Sequence, residues 1–373
     1  SVINDISSGV SQIYSSESAF AALKDDGSVI TWGDYDYGGD SDSVINDISS
    51  GVSQVFSTDF AFAALKDDGS VITWGFSDYG GDSDSVINDI SSGVSQINGA
   101  RYAFAALKDD GSVVTWGSSN YGGDSSSVAD DLTSGVSQIV NTPFAFAALK
   151  SDGSVVTWGY STGGGDSSSV ADDLTSSVSQ IFASGFSFAA LKDDGSVVTW
   201  GSSNYGGDSS SVADELASDV TQISSTEVSF AALKDDGSVV TWGLSADGGN
   251  SSSVADELSS GVSQIFSNHI NAFAALKDDG SVVTWGNSDS GGDSSSVADD
   301  LTSGIIAFAD PLTNEWRRDE ASPIITGAVG SADDAETSYI SIDSNISLTF
   351  SEAVDVETGD ITIYSIDNNA YTR

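Results

Sequence analysis

The chain has 373 residues, of which 56 are Asp or Glu and only 11 are Lys or Arg, giving a formal charge of -45. So acidic a surface repels phosphate backbones and anionic lipid headgroups, which argues against nucleic acid as a partner. No cysteine is present, so disulfides, thiolate metal sites and thiol nucleophiles are excluded.

No apolar run is long enough to cross a bilayer, no cleavable leader precedes Ser1, and there is no Met. The expectation is a piece of a longer chain that continues into further domains and inserts no segment of its own into a membrane. Self-repulsion of this size is tolerated where salt shortens the Debye length from about 8 Å to about 3 Å. A saline or Ca²⁺-rich extracellular or cell-surface location follows.

In chain order, the phrase Phe-Ala-Ala-Leu-Lys opens at Phe20, Phe62, Phe104, Phe146, Phe188, Phe230 and Phe273, 42 residues apart except for one insertion near His269. Each copy runs on to Thr-Trp-Gly, ending at Gly33, Gly75, Gly117, Gly159, Gly201, Gly243 and Gly286. Self-similarity at this period is the mark of a blade or solenoid array.

Within one copy, Val52 to Phe56, Phe62 to Lys66 and Ser70 to Trp74 read as strands, with Asp67-Asp68-Gly69 as a hairpin turn. The runs Phe62 to Leu65 and Val71 to Trp74 are apolar on both faces, as expected of strands covered on each side. Ser43 to Ile48 reads either as one capped helical turn or as a fourth, outer strand, and the strand is the expectation. The predicted fold is all-β: a seven-bladed β-propeller of 42-residue repeats, closed from about Val10 to Leu301. A linear solenoid is the alternative. Closure would set Val2 to Ile6 and Val297 to Leu301 in competition for one outer-strand position.

An eighth copy opens at Ser296 and loses the pattern after Phe308, placing the array at residues 1–309. Residues 310–322, with Trp316, Arg317 and Arg318, read as a linker.

The order strand, Ala-Leu-x-x-Asp-Gly, strand ending in Trp-Gly, then Tyr121-Gly122-Gly123-Asp124 resembles the RCC1-like repeat (regulator of chromosome condensation) and its bacterial relatives. The resemblance covers about Ser1 to Phe308 and implies a seven-bladed propeller in a large bacterial surface or secreted protein. It does not extend to a His often found four residues before the repeat's Leu, a place held here by Ala19, Ala61, Ala103, Ala145, Ser187, Ser229 and Ala272. With the charge at -45, chromatin binding and nucleotide exchange on a small GTPase are not expected.

Residues 323–373, through Ile346-Ser347-Leu348-Thr349-Phe350 and Ile361-Thr362-Ile363-Tyr364, are similar to the opening half of a bacterial Ig-like module. Such sandwiches need roughly 100 residues, so an incomplete module is expected.

Catalytic chemistry has little to stand on. His269 is the single histidine, read as a surface-loop residue, and Asp25-Asp26 recurs in every copy as a turn signature, with Ser151 replacing the first Asp once. Lys24, Lys66, Lys108, Lys150, Lys192, Lys234 and Lys277 are expected to pair with those turn carboxylates. The repeated tryptophans read as blade-to-blade packing, with sugar stacking as the alternative. Asp40, Asp82, Asp124, Asp166, Asp208 and Asp293 close Gly-Gly-Asp loops and are weak Ca²⁺ candidates, lacking the dense oxygen donors of strong calcium loops. No other cofactor is expected, and no enzymatic activity.

Variation between copies concentrates before Phe-Ala-Ala-Leu and after Trp-Gly. In an up-and-down blade these two loops share one end and the Asp-Asp-Gly turn takes the other. Loops on a rigid scaffold are where binding usually resides, so Tyr35, Phe60, Phe76, Tyr102, Phe144, Tyr160 and Phe186 are the candidate ligand-binding residues. A non-catalytic adhesion module engaging protein or glycan at a surface is the expected function. A structural spacer in a giant surface or filament protein is the alternative.

Screening of like charges predicts that the melting temperature rises with NaCl and further with millimolar Ca²⁺. A flat melting temperature from low salt to seawater strength would remove acidic repulsion as a governing term.

Overall fold

The computed structural model describes residues 6–268, 270–305, 362–364 and 370–372. Seven three-stranded antiparallel sheets follow one another along the chain, at 10–33, 52–75, 94–117, 136–159, 178–201, 220–243 and 262–286. The architecture is an all-β, seven-bladed propeller in which each blade is an up-and-down meander.

In blade two the strands are Val52–Ser57, Ala61–Lys66 and Val71–Gly75, with Phe62 opposite Trp74 and Leu65 opposite Val71. Gly69 N–H donates to the Lys66 carbonyl, and Asp68 Oδ1 accepts from the Ser70 amide at 3.0 Å and its hydroxyl at 2.6 Å. The hydroxyl, then the amide, holds the Asp68 carboxyl below its usual range, as in its six counterparts.

The expected fourth strand is not formed. Residues 42–48 wind instead into tight turns, with Val44 N–H donating to Ser41 O, and Asp47 and Ile48 N–H both donating to Val44 O. Asp40 favours this by accepting from the Asp42 amide at 2.8 Å, the side-chain turn that Asp offers in place of a strand. Val44 and Ile48 face the core while Ile45 is 44% exposed. One edge bond survives, from Val29 N–H to Ile48 O at 2.9 Å.

Each pair of consecutive blades encloses one apolar cluster. Between blades one and two lie Ala19, Ala21, Leu23 and Val29 from the first, Val52, Val55, Phe62 and Trp74 from the second, and Ile48 of the connector. Phe62 and Trp74 stack at 5.4 Å. Onto that stack comes Gly38, with φ +91, so close that a Cβ there would stand 2.6 Å from the Phe62 ring. Trp74 Nε1 donates to Gly38 O at 3.1 Å. The contact recurs from Trp116, Trp158, Trp200, Trp242 and Trp285 to Gly80, Gly122, Gly164, Gly206 and Gly248. These six tryptophans are thus buried blade packing, not sugar platforms.

Among the described residues, blades seven and one do not make the packed joint that closure was expected to give. Phe20 is 45% exposed whereas its six counterparts are 0–2% exposed, and a Cβ on Gly291 would meet nothing within 4 Å. Residues Ser295–Leu301 form turns like every other connector; Val2 to Asp5 lie outside the described residues, so the expected competition for an outer strand has no strand to compete for.

Two compact units divide the chain, Ser1–Asp319 and Glu320–Arg373. In the second, Thr362–Tyr364 pairs antiparallel with Ala370–Thr372. His269, the linker and the rest of the Ig-like segment lie outside the described residues.

A covered and an uncovered phenylalanine make a direct test of inter-blade packing. Phe104→Ala should cost about 3–5 kcal/mol in urea unfolding, as for a buried aromatic, whereas Phe20→Ala should cost roughly 1 kcal/mol or less.

Candidate functional site

The two variable loops of each blade meet. Asp34 N–H donates to Ser18 O at 2.9 Å, and Phe76 N–H to Phe60 O at 3.0 Å, so the loop before the second strand and the loop after the third lie at one end. A buried hydroxyl binds them: Thr58 Oγ1 accepts from Ala61 N–H at 2.9 Å and Phe60 N–H at 3.1 Å, and donates to Tyr79 O at 3.1 Å. Thr142 does the same toward Gly163 O, while blade three has Ala100 there. In a serine-rich loop this tie has no signal beyond recurrence at 42-residue spacing.

Successive blades are also joined loop to loop. Glu17 N–H donates to Asp59 O, Asp59 N–H to Arg101 O, and Arg101 N–H to Pro143 O, at 2.9, 3.2 and 2.9 Å. Pro143 has no N–H to pass on. The relay resumes with Gly185 N–H to Glu227 O at 2.7 Å.

On this frame the loop aromatics form a continuous ribbon. Tyr37 stacks on Phe60 at 5.1 Å, Phe60 on Tyr102 at 5.5 Å, Tyr102 meets Phe144 at 6.4 Å, and Phe144 stacks on Phe186 at 5.2 Å. Phe76 and Tyr160 join from the second loop, against Tyr79 at 4.9 Å and Tyr121 at 5.7 Å. Tyr205 ends the run against Phe186 at 4.9 Å. Beyond it the matching positions are Val228 and Asp247, so the ribbon spans blades one to five.

Six of the seven candidate aromatics therefore come together, and Tyr35, 72% exposed, has no ring contact among the described residues. Phe76 and Tyr160 are exposed; Phe60, Tyr102, Phe144 and Phe186 are half-buried. Tyr37, Tyr79, Tyr121 and Tyr205 also belong to the ribbon, at a place that is Tyr in four copies and Gly163, Asp247 and Ser290 in the other three. Arg101 lies 5.4 Å over the Tyr102 ring with its Nε 2.7 Å from Asp59 Oδ2. Burial raises the Tyr102 hydroxyl above its usual range, against the Arg101 charge.

The Ca²⁺ candidates do a local task. Asp82, Asp124, Asp166, Asp208 and Asp293 each accept from the amide two residues on, at 2.8–2.9 Å, and Asn250 replaces the carboxylate in the sixth copy with the same bond. Among the described residues no three metal-binding side chains gather.

The lysines also differ from expectation. Lys66 Nζ donates to the Asp47 carbonyl at 2.6 Å, and Lys108, Lys150, Lys192, Lys234 and Lys277 repeat the bond to Asp89, Asp131, Asp173, Glu215 and Glu257. Their ammonium groups satisfy the end of a connector, where backbone carbonyls have no strand partner, and act on the turn carboxylates only at longer range.

Thr58→Val should leave two buried amides unpaired, costing about 1–3 kcal/mol. Faster hydrogen exchange at residues 60, 61 and 79–81, with blade three unchanged, would locate the loss in the loop tie.

Residues 178–206, the fifth blade with its following turn, match the model of the regulator of chromosome condensation (RCC1) repeat. No curated protein matches the chain. Among solved structures, Prp20p from Saccharomyces cerevisiae, studied for its binding to Gsp1p and histones, is 18% identical over 63% of this chain and 72% of its own, with a TM-score of 0.37. The ectodomain of the Physcomitrella patens receptor kinase CR4 is 16% identical over 74% of this chain and 72% of its own, with a TM-score of 0.38. One unit of the chain, at residues 178–206, is thus similar to the RCC1 repeat.

Proposed function

We propose that the chain is a non-catalytic binding module of an extracellular or cell-surface protein, engaging an extended protein segment or glycan chain along its aromatic ribbon. The observation that carries this reading is the unbroken series of ring contacts from Tyr37 to Tyr205 on one face. The opposite end repeats one Asp-Asp-Gly turn almost unchanged. Rings held by neighbours lose little conformational freedom on binding, which is why rigid aromatics dominate recognition surfaces.

The half-buried rings also stabilise the loops, so truncating all of them would confound binding with folding. Phe76→Ala with Tyr160→Ala removes exposed rings alone. On protein and glycan arrays, the ligand captured by the wild type should bind this variant at least about tenfold more weakly, with melting temperature unchanged. Lys66→Ala at the far end should bind as the wild type does. Equal capture by both variants would favour the spacer reading.

A further inference from the structure

The open joint holds both halves of an interface that the chain builds six times within itself. On blade one, Phe20 is 45% and Ile13 50% exposed, where the counterparts of Ile13 in the other blades are 1–5% exposed. Trp32 is half-buried, and among the described residues its indole N–H has no glycine carbonyl to meet. On blade seven, Val297 is 46% exposed, Leu301 half-buried where Ile48 and its counterparts are 0–2% exposed, and Ala274 half-buried where its counterparts are fully covered. Gly291 keeps the backbone of the docking glycines, with φ +97.

The geometry points to head-to-tail association of two copies of this chain, the Gly291 turn of one seated on the Phe20–Trp32 stack of the other, with Trp32 Nε1 donating to the Gly291 carbonyl. The six internal joints supply the template for such a contact, since each uses the same residue types on both sides. An interface between unlike patches does not close on two copies and leaves one free face at each end for further growth. The carboxylates flanking the joint also flank the internal six, so the acidic charge weakens association at low salt without forbidding it.

Sedimentation velocity of the full chain in about 0.5 M NaCl, where the Debye length is short, tests this. The weight-average mass should at least double between micromolar and several-hundred-micromolar protein. Phe20→Asp blocks one end, and Val297→Asp with Leu301→Asp blocks the other; these positions are at least partly exposed, so the remaining blades should stay folded. Each variant alone should remain monomeric, and an equal mixture should form a dimer that does not grow. A wild type that is monomeric throughout, with Trp32 shielded from acrylamide by comparison with Trp32→Phe, would mean that blade seven closes on its own blade one and would overturn the proposal. Monomers with Trp32 open to acrylamide would overturn it too, as a face that takes no partner.

Discussion

A glycine seated on a phenylalanine ring is the contact on which everything else in this molecule depends. Phe62 cannot be covered by a backbone bearing any side chain, because the Cβ at Gly38 would stand 2.6 Å from the ring. Once the backbone is that close, the neighbouring tryptophan has a carbonyl in reach, and one indole N–H fixes the height at which the blades stack. Dispersion across so short a gap and one satisfied buried donor act together. The alanines at 61, 63 and 64 are a corollary, since flat strands let blades approach without gaps.

Charge is kept off these surfaces. Among the described residues none of the buried side chains is charged, although Ser57, Asn98 and Ser225 are buried with hydrogen bonds to the neighbouring blade, while the turn aspartates are exposed. Among the described residues the acidic side chains are therefore carried not by the strands but by turns, loops and connectors, where water and salt attenuate their repulsion. Lysines aimed at connector carbonyls bring the one recurrent positive charge to where backbone oxygens and carboxylates crowd.

Much of this was legible because two strong signals coincide: short apolar runs bounded by turn residues, and the 42-residue repeat across them. The connector was not, for a definite reason. Val44 and Ile48 are four residues apart, a spacing that satisfies both a strand period of two and a helical period near 3.6. The backbone bonds decide the matter, since the Asp47 and Ile48 N–H groups both return to Val44 O instead of pairing along a strand edge. The hydroxyl of Thr58 was hidden among similar loop residues, and the lysine partner is a carbonyl 19 residues upstream, which side-chain chemistry does not reveal. Closure was least legible, since Phe20 is identical to its covered counterparts and the outcome rests on small rotations summed over all the blades. The candidate aromatics were found because they vary between copies; the tyrosines at 37, 79, 121 and 205 were left out because in those four copies they open the Tyr-Gly-Gly phrase by which the repeat is recognised.

The interchangeability of the joints has a consequence for how such a chain changes over generations. A duplication or deletion of one 42-residue unit respectively adds or removes one joint and leaves each remaining contact chemically as it was. Stability in such arrays is a sum of unit and nearest-neighbour terms, so descendants differing by whole units should fold equally well. The ribbon is inherited in the same increments: a new unit with Phe at the place of Phe144 extends it, and one with Val, as at Val228, ends it. Recombination between near-identical repeats can therefore redraw the surface without passing through an unfolded ancestor.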